Sequence, residues 1–327
     1  MKPSVLLAMS LATMSVLGPI NVWAQQPWPS RPVRLVVGFA PGGGTDIVAR
    51  LLAQRLSDSL GQPFVVDNRP GATGMLAARQ VAAAAADGYT LLMGHVNSNA
   101  IAPSLSERPP YDPLTDFAPV AYVGYVPNVL VVNPALPARS VAELIALARA
   151  RPNNQGLSFG SPGVGSTNHL AGEMFRLDTG APLVHVPYKG SGPAIVDLLG
   201  GQLDMNFDAM SSITTHLKSG RMRALAVTTP QRDPDLPDVP TMIELGFRSL
   251  NVTNWYGVVA PAGTSLAVVN RLNGEILRIL SLPDVGARLS DLGVRRNPMS
   301  PQAFAAFIAE ELAKYRGVAQ ASGVRME

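Results

Sequence analysis

Val33-Arg34-Leu35-Val36-Val37-Gly38-Phe39-Ala40-Pro41-Gly42-Gly43-Gly44-Thr45-Asp46 carries the clearest structural signal in this 327-residue chain. It opens as a run of β-branched and aliphatic residues, the pattern of a buried strand. It breaks at Ala40-Pro41-Gly42-Gly43-Gly44. After Thr45 and Asp46 comes an apolar series at helical spacing: Ile47, Val48, Leu51, Leu52 and Leu56. The stretch predicts strand, glycine turn and helix, with Thr45 as N-cap. Unpaired amides at the helix start would point into the turn, and the glycines would let a ligand approach them. Such a turn can bind an anion without a charged side chain. An ordinary strand-to-helix connection uses the same residues, so the stretch alone leaves both readings open.

The same alternation continues downstream. Phe64–Asp67 and Tyr89–Gly94 read as strands, with an alanine-rich helix, Met75–Ala86, between them. A β-α-β-α-β order implies a parallel sheet with helices on its faces, and ligands of such sheets sit at the carboxyl ends of the strands. Asn97 and Ser98 leave the third strand at that end, near the glycine turn. Pro103–Pro113 reads as a surface excursion. Val120–Gly124 and Asn128–Val132 read as two strands divided by Pro127, and a first domain crossing falls here.

The plan then recurs without the sequence recurring. Strand Leu157–Gly160 leads into a second glycine turn, Ser161-Pro162-Gly163-Val164-Gly165-Ser166-Thr167, and a helix, Asn168–Leu177. Strands Leu183–Val186, Leu203–Phe207 and Arg223–Thr228 follow, with Asp208 at a carboxyl end. Val252–Ala260 reads as the return crossing, and helices Leu266–Leu280, Pro283–Leu292 and Pro301–Gln320 close the chain. The expected fold is therefore α/β with two domains, each a mostly parallel sheet flanked by helices. Domain 1 comprises 25–122 plus 255–327, and domain 2 comprises 123–254.

Ahead of the fold, Lys2 and the apolar run Val5–Ile20 precede Val22-Trp23-Ala24, which fits a signal-peptidase site. Cleavage after Ala24 and export to the periplasm are expected. The chain has no cysteine, which excludes a disulfide-stapled module and a lipid-anchored amino terminus. A net charge of +3 with scattered basic residues suits a protein that handles anions and does not suit a nucleic-acid binder. His95, His169, His185 and His216 show no zinc spacing, so neither a metal nor a cofactor is expected.

Two motifs point elsewhere. Gly156-Leu157-Ser158-Phe159-Gly160 matches the nucleophile pattern of serine hydrolases, with Asp178 and His185 after it in the hydrolase order. A nucleophile serine belongs on the sharp turn between strand and helix, whereas Ser158 falls within the predicted strand. Gly160–Thr167 has Walker-type glycines, but Ser166 stands where the lysine belongs. What survives is a glycine turn presenting amides at a helix start. Two such turns across a cleft could hold one anion between two helix N-termini. An exported serine hydrolase using Ser158 is the alternative.

Several stretches together resemble the Bug-type extracytoplasmic receptors of tripartite tricarboxylate transporters. They are Trp28-Pro29-Ser30-Arg31-Pro32, Ala40–Asp46, Asp67-Asn68-Arg69-Pro70-Gly71-Ala72, Pro110-Tyr111-Asp112, Asp116–Val120, Val186–Pro193, Leu199–Asp204, Phe207-Asp208 and Leu236–Thr241. The resemblance implies a two-domain Venus-flytrap fold of the type II periplasmic-binding-protein class. It implies capture of a small carboxylate: a di- or tricarboxylate, an aromatic carboxylate or an acidic amino acid. It also implies membrane subunits of a tripartite transporter as partners, a monomeric receptor and no enzymatic activity. A ligand-presenting role beside a membrane sensor is equally compatible. By the resemblance the ligand would meet Gly42, Gly43, Gly44, Thr45, Ser161, Gly163, Gly165, Ser166, Thr167 and Asp208, and the candidate site also takes in Phe39 before the first turn and Asn97 and Ser98 after the third strand. Asp208 matches an aspartate that meets a ligand amino group in some members. His95-Val96-Asn97-Ser98-Asn99 departs from the family's usual serine- and threonine-rich run.

Overall fold

The computed structural model describes residues 28–151, 155–188 and 191–326. The signal-peptide and cleavage readings lie outside the described residues, as do Lys189 and Gly190. Among the described residues no helix is long and apolar enough to cross a membrane.

Each side of the molecule is a strand-and-helix layer. On the first, β1 (Val33–Val37) pairs in parallel with β2 (Phe64–Asn68) and with β3 (Thr90–His95). On the second, β5 (Leu157–Ser161) pairs in parallel with β6 (Leu183–Pro187) and with β7 (Met205–Ala209). Burial on both faces explains the continuous apolar run of β1. Val33, Leu35 and Val37 meet Val48, Leu52 and Leu56 of α1 (Gly44–Leu60), while Val36 joins the opposite core with Ala77 and Ala78 of α2 (Met75–Ala82).

Two long strands join the layers. β4 (Phe117–Val132) and β9 (Thr253–Pro261) run antiparallel to each other over Phe117–Pro127. From Asn128 onward β4 changes partners, pairing with β7 on one side and β8 (Arg223–Val227) on the other. The sequence reading of two strands divided by Pro127 is corrected here: β4 is continuous. Pro127 sits where one partner ends and the next begins, a position that tolerates a missing N–H.

Asp208 is the penultimate residue of β7, at the carboxyl end read from the sequence, opposite Val129 of β4. Of Pro103–Pro113, read as a surface excursion, Glu107–Pro110 are exposed but the beginning is not. Asn97–Ile101 forms a π-type turn running into α3 (Ala102–Leu105), and Ala102, Pro103 and Leu105 are buried. The closing helix α10 (Pro301–Ser322) covers it, and Ser104 bonds to the Leu312 carbonyl at 3.2 Å. The remaining helices flank the sheet: α4 (Val141–Ala150), α5 (Thr167–Thr179), α6 (Ser191–Leu199), α7 (Met210–Lys218), α8 (Leu266–Ser281) and α9 (Pro283–Asp291).

Candidate functional site

The first glycine turn closes on Asp46. The helix begins at Gly44, and Gly43 is its N-cap without a side-chain hydrogen bond. Thr45 is therefore within the first turn of α1 and is not the cap, a correction to the sequence reading. The capping interaction comes instead from inside the helix. One Asp46 carboxylate oxygen accepts from the Gly42 amide and from Arg50 Nε, both at 2.9 Å, and the other accepts from Asn68 Nδ2 at 2.9 Å. Burial would raise this carboxyl. The hydrogen bonds from Arg50, Gly42 and Asn68, with the Arg50 charge, outweigh it and hold Asp46 below its ordinary value. Asp46 thus spends the Gly42 amide on the loop. The Gly44, Thr45 and Asp46 amides head the helix, where no intrahelical acceptor exists. Gly42, Gly43 and Gly44 are exposed.

The second turn is tied more tightly. Ser166 caps α5 by accepting from the His169 amide at 3.2 Å, and its hydroxyl donates to the Gly163 carbonyl at 2.7 Å. The Gly165 amide donates to His169 Nδ1 at 3.1 Å, and the Gly163 amide to Ser161 Oγ at 3.1 Å. The amides of Gly163 and Gly165 are thus committed inside the turn, and Thr167 and Asn168 head α5. Gly165 has φ +75°, and a Cβ there would meet Met326 Sδ at 2.8 Å, so glycine is required on both counts. The Ser161 hydroxyl lies 2.6 Å from His185 Nε2, and the His185 ring stacks on His169 with centroids 3.8 Å apart.

One strand brings the two helix starts together. Thr167 Oγ1 donates to Asn254 Oδ1 of β9 at 2.6 Å. Two residues along, the Tyr256 hydroxyl stands 3.0 Å from where a Cβ on Gly44 would lie. Side chains two apart on a strand share a face and stand roughly 7 Å apart. The N-termini of α1 and α5 therefore reach one face of the same strand.

A buried polar layer supports this arrangement. Asn254 Nδ2 donates to Asn128 Oδ1 at 2.9 Å. Asp208 is 1% exposed, and its two oxygens accept from Asn168 Nδ2 at 3.0 Å and Asn206 Nδ2 at 3.1 Å. Burial pushes its carboxyl up to about 6 against these hydrogen bonds. Asp208 is held by side-chain amides at the base of α5, one to each oxygen.

Around the first turn, the Phe39 and His95 rings are 5.1 Å apart, and His95 is 5.3 Å from Tyr256. The loop after β2 joins them: a Cβ on Gly74 would meet Ser98 at 3.2 Å and Phe39 at 3.4 Å. Gly71, Ala72, Thr73 and Gly74 all have positive φ, a strained run of the kind that clusters at ligand sites. The Asn97 amide donates to His95 Nδ1 at 3.0 Å, while the Ser98 hydroxyl donates to Asn99 Oδ1 at 2.7 Å.

Of the residues named from the sequence, Phe39, Gly44 and Ser98 gather around His95 and Tyr256, while Thr167 reaches the same strand through Asn254. Sequence reasoning missed Thr73, Asn128, Asn168, Asn254 and Tyr256, and considered His95 only as a metal ligand. A signal existed in β9, where Asn254 and Tyr256 alternate with the fully buried Trp255. The hydrolase motif is not assembled. Ser158 Oγ lies in β5 and donates to Asp204 Oδ2 at 2.9 Å, while His185 contacts Ser161.

Two α/β lobes joined by crossing strands, with two helix starts meeting at the join, define a periplasmic binding protein of the type II class. A family model described as "Tripartite tricarboxylate transporter family receptor" matches residues 48–324. The chain belongs to that family of periplasmic solute-binding receptors, and it is a receptor and not an enzyme. It is 41% identical over 319 residues to Protein BugT of Bordetella pertussis, covering 97% of this chain and 96% of BugT. Among solved structures it is similar to R. palustris Rpa4515 with adipate, at 40% identity and a TM-score of 0.79, covering 91% of this chain and 99% of that one. It is also similar to the periplasmic binding protein BugD, at 36% identity and a TM-score of 0.76, covering 92% and 100%.

Proposed function

We propose that this receptor captures a small carboxylate between its lobes and delivers it to the membrane subunits of a tripartite transporter. The observation that carries the reading is the meeting of the α1 and α5 N-termini over one face of β9. Each helix start contributes about 0.3–1 kcal/mol toward an anion, and up to about 2 when partly buried. Amide hydrogen bonds to a charged acceptor add roughly 1.5–3 kcal/mol each. A few of these reach the roughly 8 kcal/mol of micromolar binding. Adipate in a relative at 40% identity supports the carboxylate class.

The lobes in this reading are 25–122 plus 255–327, and 123–254, in a mature monomeric chain that begins after Ala24. The change of partners at Pro127–Asn128 supports a hinge at that point of β4 and at the facing start of β9. Closure would bring Gly43, Gly44, Thr45, Asn97 and Ser98 toward Ser161, Ser166 and Thr167. A thermal-shift screen of a carboxylate panel tests the function. A carboxylate at 100 times its dissociation constant should add about 2.7 kcal/mol of stability. Stabilisation by sugars alone would refute the reading. Native mass spectrometry of freshly purified protein should show a retained organic acid, and small-angle scattering should contract when a stabilising acid is added.

A further inference from the structure

Beyond α10 the chain returns to the binding region. Gly323 ends the helix at φ +73°, and the residues after it turn back toward α3. Met326 forms a parallel bridge with Ser106, just past α3, and its amide donates to the Leu105 carbonyl at 3.0 Å. Arg325 pairs with Glu107 beside it. Val324 and Met326 are partly buried against the core. The Met326 thioether also rests on the second glycine turn: a Cβ on Gly165 would meet Met326 Sδ at 2.8 Å and Leu105 Cδ1 at 3.0 Å. Leu105 ends the helical segment that begins with Asn97 and Ser98, so one short tail touches a binding segment of each lobe.

We infer that Gly323–Met326 is a strap between the lobes, fastening the second glycine turn to the segment that carries Asn97 and Ser98 and so favouring the closed arrangement. The inference rests on the two-lobe reading and names a device that sets its closure. α3 and α10 belong to the first lobe of that reading, and Gly165 to the second. Opening about β4 and β9 carries Gly165 away from Leu105 and Met326, and their apolar contacts with the turn are lost. A contact made in only one arrangement shifts the balance toward that arrangement. Glycine at 165 serves this contact, because a side chain there would hold Met326 and Leu105 off the turn. The strap can let go without unfolding the lobe beneath it. Its ion pair, Arg325 with Glu107, is exposed at both ends and adds little, so the packing of Met326 on Gly165 is what the strap contributes.

The chain has no cysteine, so Arg108→Cys in the first lobe and Val164→Cys in the second, both at exposed positions, can carry a pair of spin labels. Their separation is measured in the full mature protein, first without ligand and then with adipate and the other acids of the carboxylate panel. In the ligand-free protein Met326→Ser should lengthen and broaden the distance, whereas Met326→Leu, which keeps the apolar bulk, should leave it near the parent value. The acid that shortens the parent distance should bind Met326→Ser about three- to tenfold more weakly, because the closed fraction has fallen. The unfolding midpoint should stay within about two degrees, since the tail lies at the surface of the core. A ligand-free distance unchanged by Met326→Ser, or tighter binding in that variant, overturns the strap and leaves the two-lobe reading standing. A parent distance that no acid of the panel shortens overturns closure of the lobes, and the strap with it.

Discussion

Acidification should destabilise this protein, because burial holds three of its imidazoles neutral. His95 and His169 are pushed down to about 3 and His185 to about 4, by burial in each case and, for His169, by the facing His185 as well. His169 is neutral despite Glu173 in the next turn, because its Nε2 lies 4.0 Å from the carboxylate and Glu173 pairs with Arg176 at 2.8 Å. A folded-state value below the unfolded one gives stability that is present above pH 6.5 and lost as the pH falls toward 3–4. From pH 7 to pH 5 each imidazole costs on the order of 2 kcal/mol, or roughly 6 kcal/mol for the three. Asp208 acts in the opposite sense. Its folded value is raised, so its contribution is lost as the pH rises through about 4–6, and acidification to pH 5 returns roughly 1–2 kcal/mol. The net loss is about 4 kcal/mol, a large part of the 5–15 kcal/mol typical of folded proteins. Urea unfolding at the two pH values measures it. His169→Gln should reduce the loss by about 2 kcal/mol, the share of one proton. Stability at pH 5 within 1 kcal/mol of that at pH 7 would refute the neutral, buried state of these rings.

Other perturbations address the turns and the join. Gly165→Ala forces a side chain into positive φ and against Met326 and Leu105; it should cost about 2–4 kcal/mol in urea unfolding and weaken carboxylate binding. Gly44→Ala meets only the Tyr256 hydroxyl and improves helix propensity, so the ligand-free protein should gain up to about 1 kcal/mol while carboxylate affinity falls in calorimetry. Arg295 holds the buried Asp233 through two nitrogens, at 2.6 and 2.9 Å, and Asp235 at 2.6 Å; Arg295→Met should cost about 3–5 kcal/mol of unfolding free energy, because it strands a buried charge. Ser158→Ala should leave ester turnover at background and cost about 1 kcal/mol, the bond to Asp204.

The two glycine turns and the helices behind them were legible because strand and helix periods leave direct marks in the residue pattern. Val33–Val37 and Leu157–Ser161 are strands, and α1 and α5 begin at their turns, within a residue or two of the reading. The continuity of β4 was not legible. Proline ordinarily ends a strand, and only the change of partners at Pro127 removes the need for its N–H. The capping role given to Thr45 was misassigned because local preference favours threonine, whereas Asp46 reaches back once Arg50 and Asn68 surround it.

By itself, the sequence determined the alternation of strands and helices, the two glycine turns that open α1 and α5 and, through scattered motifs, the receptor family. Those properties depend on residues near one another in the chain, where periodicity and turn chemistry act. Tertiary structure alone decided which amides remain available, because the Gly42, Gly163 and Gly165 amides are consumed by partners set by the fold. It also decided that Tyr256, remote in sequence from Gly44, stands at the mouth of α1, and that Asn254 ties α5 to the same strand. The physical reason is that β9 returns antiparallel to β3 and β4, and that register places the Tyr256 hydroxyl beside Gly44, far away in the chain.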